Sequence, residues 1–305
     1  MSYPAAAARD YRVVQRLRRL VVARTQRAWA GMGEDFDESW VQVGPAVTAA
    51  VAAGQLAAAT QSATAISGVV DELDVDAPRQ AQVVPGRFAG VAADGRSLTG
   101  LLEGAVSHAR VAVAGGLATD EALAVGGRWM DALVRTAVTD AHRGALAAGV
   151  VARDRVGWVR MVNPPCCGRC AVLAGRWYRW SDGFDRHLQC DCAHVVAPES
   201  VAGRLTVNPD SLHARGLVRG LTVREQQRMA EGADLTTVVN ESRAMWLART
   251  QDQRSRRSRA RAGGTPAPAP APRPSLDGLL GQLRADVTSR EEGRARLAAA
   301  GFLAA

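Results

Sequence analysis

Residues 156–197 read VGWVRMVNPPCCGRCAVLAGRWYRWSDGFDRHLQCDCAHVVA. This stretch decides whether the chain is purely helical or mixed. The run 156–162 predicts a β-strand that ends at Pro164-Pro165, and two further short strands are predicted at Trp177 to Trp180 and at Ala193 to Ala197. Because the sequence before residue 153 has helical periodicity, we expect an α+β fold that is mostly α-helical.

Cysteine and histidine residues are concentrated in the same stretch. All five cysteines and two of the five histidines fall between Cys166 and His194. The spacing is C-x2-C, sixteen residues, then H-x2-C-x-C, and four such ligands in a tetrahedron suit Zn²⁺. The expected ligands are Cys167, Cys170, His187, Cys190 and Cys192. These five candidates exceed the four coordination positions of Zn²⁺, so the choice among them stays open. Cys166 and His194 are less favoured, because Cys166 is spaced less well and His194 lies on the strand that leaves the knuckle.

The site is expected to be structural rather than catalytic. A redox C-x-x-C would need a surrounding βαβ pattern, which is absent from the sequence. A catalytic zinc needs an open position and a general base, and the nearby Asp182, Asp185 and Asp191 are typical of a solvated loop. We expect the ion to replace a hydrophobic core in a unit too small to fold alone, and Gly168 to ease the C-x2-C turn.

The first half predicts a helical bundle. Aromatic residues make up 5% of the chain and alanine is abundant, which favours closely packed helices. Helices are predicted over 5–30, 39–72 and 97–114, and from an N-cap at Thr119 to about Gly149. Residues 74–100, rich in Pro and Gly, are predicted to be an irregular connection.

The C-terminal third predicts short helices and a linker. Thr222-x-x-Glu225 and Ser289-x-x-Glu292 have the capping-box pattern, and Asp234 is a candidate cap. The domain prediction is a bundle over 1–150, a zinc knuckle over 151–200, short helices over 201–248, an Arg/Pro-rich disordered linker over 249–275 and a C-terminal helix over 276–305. The apolar Leu297, Phe302 and Leu303 suggest that this last helix docks a partner.

The chain is basic, with a net charge of +8 and a pI near 10.2. Such a charge permits contact with nucleic acid. The candidate DNA contacts are the clustered arginines of the linker, Arg254, Arg256, Arg257, Arg259 and Arg261; a solvated linker is the alternative.

No signal peptide is expected, because no apolar segment follows the arginines of residues 9–19. We also expect charged residues to interrupt every span of about 18 residues, so that no helix crosses a membrane. In a reducing cytoplasm the cysteines would serve as metal ligands rather than form disulfides.

Residues 85–200 resemble the Mu F-type head morphogenesis domain found in MuF-like minor capsid proteins of actinobacterial tailed phages. The resemblance is carried by Arg135-Thr136, the helix ending at Gly149, Trp158, Leu173-x-Gly175, His187 and Cys190-Asp191-Cys192. Cys167 and Cys170 match the zinc-bearing version of these phage proteins, and residues 232–245 resemble a downstream segment of them.

This resemblance implies a low-copy head protein that acts during procapsid assembly with portal, scaffold and major capsid proteins. It implies a location in the virion head and, during assembly, in the host cytoplasm, with packaged DNA as a further partner and no membrane. Some relatives are labelled capsid maturation proteases, so proteolysis is the alternative function.

A protease is less favoured by the residues themselves. A serine or cysteine protease needs a nucleophile, a base and an orienting group. His108, His142 and His213 lie in no recognisable nucleophile motif, and His142 is predicted on a helix surface. We therefore expect an assembly protein rather than an enzyme, with catalytic residues unassigned.

Overall fold

The computed structural model describes residues 3–183, 190, 192–245 and 289–305, and these form a mostly helical α+β fold, as predicted. The helices are α1 (Ala5–Trp29), α2 (Phe36–Leu73), α3 (Leu98–Leu102), α4 (Gly104–Ala114), α5 (Thr119–Val151), α6 (Gly168–Leu173), α7 (Glu199–Ala202), α8 (Pro209–Ala214), α9 (Val223–Ala230), α10 (residues 235–245) and α11 (Arg290–Ala299). The strands are β1 (Gln82–Val83), β2 (Gly157–Met161), β3 (Cys166–Cys167), β4 (Trp177–Tyr178), β5 (Ala193–Ala197), β6 (Val218–Arg219) and β7 (Leu303–Ala304). Short 3-10 turns cover Pro85–Phe88 and Gly203–Leu205.

Helices α1, α2 and α5 pack closely because small residues line their contacts. A Cβ atom added at Gly54 of α2 would lie 2.5 Å from Val21 Cγ2 of α1. One added at Gly126 of α5 would lie 2.7 Å from the ring of Trp29 and 2.9 Å from the main-chain oxygen of Ala105. Such short separations leave no room for a methyl group. The expected bundle of closely packed, alanine-rich helices is therefore present.

Most predicted caps are found. The Thr222 hydroxyl accepts the Glu225 N–H at 3.2 Å, Asp234 accepts the Thr237 N–H at 2.9 Å, and Ser289 accepts the Glu292 N–H at 3.2 Å. The prediction for α5 was wrong by one residue, because Ala118 is the N-cap and Thr119 is the first helical residue. Glu121 still stabilises this end, since its carboxylate accepts the Ala118 N–H at 3.4 Å.

Helix α2 corrects the expectation about uncharged spans. Residues 41–70 carry no charged side chain, and α2 is long and apolar enough to cross a membrane. Its most apolar window is 44% buried inside the protein, and its buried Ser62 donates to the main-chain oxygen of His142 in α5 at 3.1 Å. One helix of this kind is weak evidence for a span, because core helices pass the same test.

A three-stranded antiparallel sheet follows α5, in the order β4-β2-β5. Every residue of β2 and β5 is buried. The apolar side chains of this sheet share one core with the last turns of α5, with Ile66 of α2 and with Leu297 of α11. From the sequence we expected the 151–200 region to have no hydrophobic core of its own and to need a metal ion in its place. The structure shows instead that this region shares a core with the helical bundle.

Residues 74–100 are irregular, as predicted, but they are anchored. Gln55 of α2 donates to the Val91 oxygen at 2.8 Å and accepts the Gly90 N–H at 2.9 Å. Strand β1 of this segment pairs with β7 at the C-terminus of the chain.

The hypothesis that the C-terminal helix docks a partner through its apolar side chains was wrong. Leu297, Phe302 and Leu303 are all buried within the chain. Phe302 packs against Phe88 at 5.2 Å between ring centroids. Arg290 fixes the start of α11 by donating to the Val150 oxygen at 2.9 Å. The linker arginines and residues 276–288 lie outside the described residues.

Gly157→Ala is expected to destabilise the protein by about 2 kcal/mol, because the new methyl group overpacks the sheet. The added Cβ would lie 2.1 Å from the Tyr178 oxygen and 2.7 Å from the Trp177 ring. Gly203→Ala is the matched control, since nothing lies within 4 Å of its Cβ position. Urea unfolding followed by tryptophan fluorescence measures both, and equal stability of the two variants would contradict the close approach.

Candidate metal centre

Three buried thiols meet beside the sheet. The sulfur atoms of Cys170, Cys190 and Cys192 all lie within 4.8 Å of one another. The Sγ atoms of Cys170 and Cys190 are 3.6 Å apart. Cys170 comes from α6, whereas the other two flank the start of β5. The fold thus brings together residues twenty positions apart into a group that can hold a metal ion.

Cys167 lies next to this group. It is the N-cap of α6, where its sulfur accepts the Cys170 N–H at 3.3 Å. Cys166 precedes it on β3, which pairs in parallel with β6. Gly168 has a packing role rather than a conformational one, because its Cβ position lies 2.9 Å from Leu221 and 3.0 Å from Val239.

His187 lies outside the described residues, as do Asp185 and Asp191. His194 is on β5, opposite Arg160 of β2. Its buried ring packs edge-on against Trp158, with 4.3 Å between centroids. This position agrees with the expectation that His194 belongs to the departing strand.

The crowded thiols differ in their proton affinity. Hydrogen bonds with Cys167, Cys190 and Cys192 raise the pKa of Cys170. Hydrogen bonds from Cys170 and Cys192 lower the pKa of Cys190, and Arg143 lowers it further. The pKa of Cys192 is lowered by Cys170 but raised by Cys190 and by burial, with a net rise to about 12. Without a metal, the cluster therefore favours one thiolate, at Cys190, stabilised by its protonated neighbours.

Cys166 behaves as a buried thiol beside the cluster. Burial, followed by the neighbouring Cys167, raises its pKa to about 11. It is not one of the three cysteines whose sulfur atoms converge.

Arg143 of α5 binds the main chain of two of these cysteines, a role that the sequence pattern did not predict. Its Nε donates to the Cys192 oxygen at 2.7 Å, and its Nη2 donates to the Cys190 oxygen. Nη1 pairs with Asp140 at 3.1 Å. A signal was present, because the run 141–151, AHRGALAAGVV, contains two polar side chains among apolar residues. A charged residue in such a run indicates a buried partner.

Arg160 of β2 adds a second buried positive charge. Its side chain is among the largest fully buried ones in the described residues. Its charge acts to lower the pKa of Cys192. Two buried guanidinium groups therefore lie close to the cysteines, where their positive charge stabilises the thiolate form.

The three histidines outside the cluster lie in different surroundings. The prediction that His142 lies on a helix surface was wrong, since its side chain is 2% exposed and its Nε2 lies 2.7 Å from Asp10 Oδ2 of α1. The α1–α5 contact covers this face of the helix. His108 is exposed and stacks on Trp129, with 4.0 Å between centroids. His213 lies in the last turn of the short helix α8.

Comparisons with known proteins give no match: no protein-family model, curated protein or solved structure is similar to this chain.

Arg143→Met is expected to cost about 3 kcal/mol, because it leaves two buried main-chain oxygens and the Asp140 carboxylate without a cationic donor. Arg135→Met is the matched control on the same helix. Arg135 pairs with Asp131 four residues away, and both side chains are about 30% exposed, so its loss should cost under about 0.5 kcal/mol. Thermal and urea unfolding measure both; a mild effect at Arg143 would show that the loop does not depend on it.

Proposed function

We propose that the thiol cluster binds Zn²⁺ as a structural site, with Cys170, Cys190 and Cys192 as three ligands and Cys167 or His187 as the fourth. A tetrahedral site with Zn–S bonds of about 2.3 Å separates its sulfur atoms by about 3.8 Å. The 3.6 Å between the Cys170 and Cys190 sulfurs agrees with this spacing. An N–H donated to a thiolate, as from Cys170 to Cys167, also fits a metal-bound sulfur.

Burial and charge support a structural rather than a catalytic role. The three thiols are buried, which leaves little access for a substrate. Three thiolates around a divalent cation carry one negative charge in excess, and the buried Arg143 and Arg160 offset it. Zinc there would tie α6 to the start of β5, and Arg143 would tie both to α5.

The purified full-length chain is expected to contain about one zinc ion per molecule. Cys170→Ser and Cys190→Ser should lose most of it, because each removes a converging ligand. Cys166→Ser is the matched control and should keep its zinc, since Cys166 lies beside the cluster. Elemental analysis of the dialysed proteins measures this.

Two results would reject the zinc site: wild-type protein without zinc, or unchanged zinc in Cys170→Ser. Chelation should also lower the melting temperature of the wild type and not that of Cys190→Ser, because metal binding stabilises the folded state.

We further propose that the chain is a MuF-like minor head protein, which acts in procapsid assembly with portal, scaffold and major capsid proteins. The supporting observation is the sequence resemblance, and several of its described residues lie in the sheet, in α6 and in the thiol cluster. Trp158 is on the central strand β2 and Leu173 is the last residue of α6. Cys190 and Cys192 supply two of the three thiols of the cluster. Gly175 has a φ of +71° and a Cβ position 2.5 Å from the Val207 nitrogen, so a larger residue does not fit.

The assembly role is favoured over proteolysis by the buried His142 and by the inward-facing thiols. A nucleophile and base must reach a peptide substrate, and these groups do not. The proposed location is the virion head, after assembly in the host cytoplasm.

When the chain is co-expressed with the portal, scaffold and major capsid proteins of its own phage, procapsids should contain it, because it would bind the head proteins during assembly. Cys170→Ser/Cys190→Ser should reduce its incorporation, whereas Cys166→Ser should not. Mass spectrometry of gradient-purified particles measures incorporation and any cleavage.

Particles that form normally but exclude the wild-type chain would reject the head-protein proposal. Capsid cleavage that depends on a single Ser, Cys or His of this chain would establish the protease instead.

A further inference from the structure

Helix α1 carries a row of exposed arginines. Arg9, Arg12, Arg16 and Arg19 recur at intervals of three and four residues, so they lie on one face of the helix. All four are exposed. They line a groove of about 940 Å³ between α1 and the residues that end β2, Met161 to Asn163. We call these four residues the α1 arginine row.

The positive charge of the groove is not neutralised by acidic side chains in its lining. No Asp or Glu is among the residues that line it. Within the part of the chain that the structure describes, Arg12, Arg16 and Arg19 form no salt bridge. Two acidic side chains of the described residues near the start of α1 have other partners: Asp10 contacts the buried His142, and Glu72 accepts the N–H groups of Ala5 and Ala6.

Arg9 differs from the other three. The Glu72 carboxylate is close enough for Arg9 to act on its pKa. The charge available to a ligand therefore comes mainly from Arg12, Arg16 and Arg19.

Neutral hydrogen-bonding groups accompany the charges. Tyr3, Tyr11, Gln15 and Asn163 also line the groove. The Tyr3 hydroxyl accepts the Val162 N–H at 3.3 Å and donates to the Arg160 oxygen at 3.5 Å, so it joins the N-terminal segment to β2 rather than serving a ligand. Burial raises the pKa of Tyr3 to about 12, so its phenol adds no negative charge at neutral pH.

We propose that the α1 arginine row binds the phosphate backbone of nucleic acid, without reading its sequence. Arginine, tyrosine and amide side chains are the groups that proteins use on phosphate and sugar oxygens. This proposal rests on residues other than the linker arginines, and it does not depend on the proposed zinc site or on the head-protein function.

The length and charge density of the row favour nucleic acid over an acidic protein. From Arg12 to Arg19 the helix rises about 10 Å, which matches roughly three nucleotides of one duplex strand at about 3.4 Å each. An acidic protein segment would match the row only with Asp or Glu placed at the same spacing, whereas every nucleic-acid strand carries regularly spaced charges whatever its sequence. The net charge of +8 on the whole chain adds a long-range attraction for polyanions.

The test uses the full-length chain and a fluorescently labelled 20-base-pair DNA duplex of arbitrary sequence, followed by anisotropy over a range of salt concentrations. Arg12→Gln/Arg16→Gln/Arg19→Gln should weaken binding at low salt by at least about tenfold. It should also lower the slope of log affinity against log salt by about 2 to 3, since each lost phosphate contact removes about 0.9. A second, unrelated duplex should bind equally well.

The matched control is Arg204→Gln/Arg215→Gln/Arg224→Gln, which removes the same charge from exposed arginines away from the groove. It should change affinity by less than about threefold. Arg12→Lys/Arg16→Lys/Arg19→Lys keeps the charges and should retain most of the binding. Circular dichroism and melting temperatures of all variants establish that they fold.

Three outcomes would overturn the proposal: no binding by the wild type at low salt, equal losses in the row and control variants, or full retention of binding in the row variant. Loss of all binding on deletion of residues 249–275, with the row variant unaffected, would place the contact in the linker. Binding of poly-glutamate but not DNA would assign the groove to an acidic protein.

Discussion

The guanidinium of Arg143 joins the helical bundle to the cysteines that precede strand β5. It lies near the end of α5 and donates to the main-chain oxygens of Cys190 and Cys192. A buried arginine is costly unless its donors and its charge are satisfied, and here Asp140 and the two oxygens satisfy them. Cys190 and Cys192 are thereby held against α5, with their sulfur atoms close to that of Cys170 of α6.

The thiol cluster depends on that arrangement. Cys170 approaches from α6, whereas Cys190 and Cys192 are positioned by Arg143 and by the pairing of β5 with β2. The result is a buried group in which the pKa of Cys190 is lowered and those of Cys170 and Cys192 are raised, so that a bound cation would favour further deprotonation. A metal ion would satisfy this requirement, and the surrounding core would then serve as a rigid support rather than as an active-site cleft.

Charge is distributed in two different ways. Arg143 and Arg160 are buried around the thiols, where their fields act on a few atoms. The arginines of α1 are exposed along a groove without acidic neighbours in its walls, where their charges add over a longer distance. The same residue type therefore stabilises the interior in one place and presents an attractive surface for polyanions in another.

The sequence by itself determined the features that depend on neighbouring residues. Helical periodicity, the cap at Thr222, the strand at Ala193 to Ala197 and the clustering of cysteines are all local patterns, and the structure contains each of them. The binding of zinc, the head-protein function and the domain boundaries are predictions.

Only the tertiary structure decided which distant groups meet. The contact of Asp10 with His142 spans 132 residues, and that of Arg143 with Cys192 spans 49. The burial of Leu297 and Phe302 depends on core residues and on Phe88 far along the chain. No local pattern encodes these pairs, because a helix has the same periodicity whether its covered face meets another helix of the chain or a partner. Their positions follow from the packing of the whole chain, which places a metal-competent thiol cluster inside and a row of arginines outside.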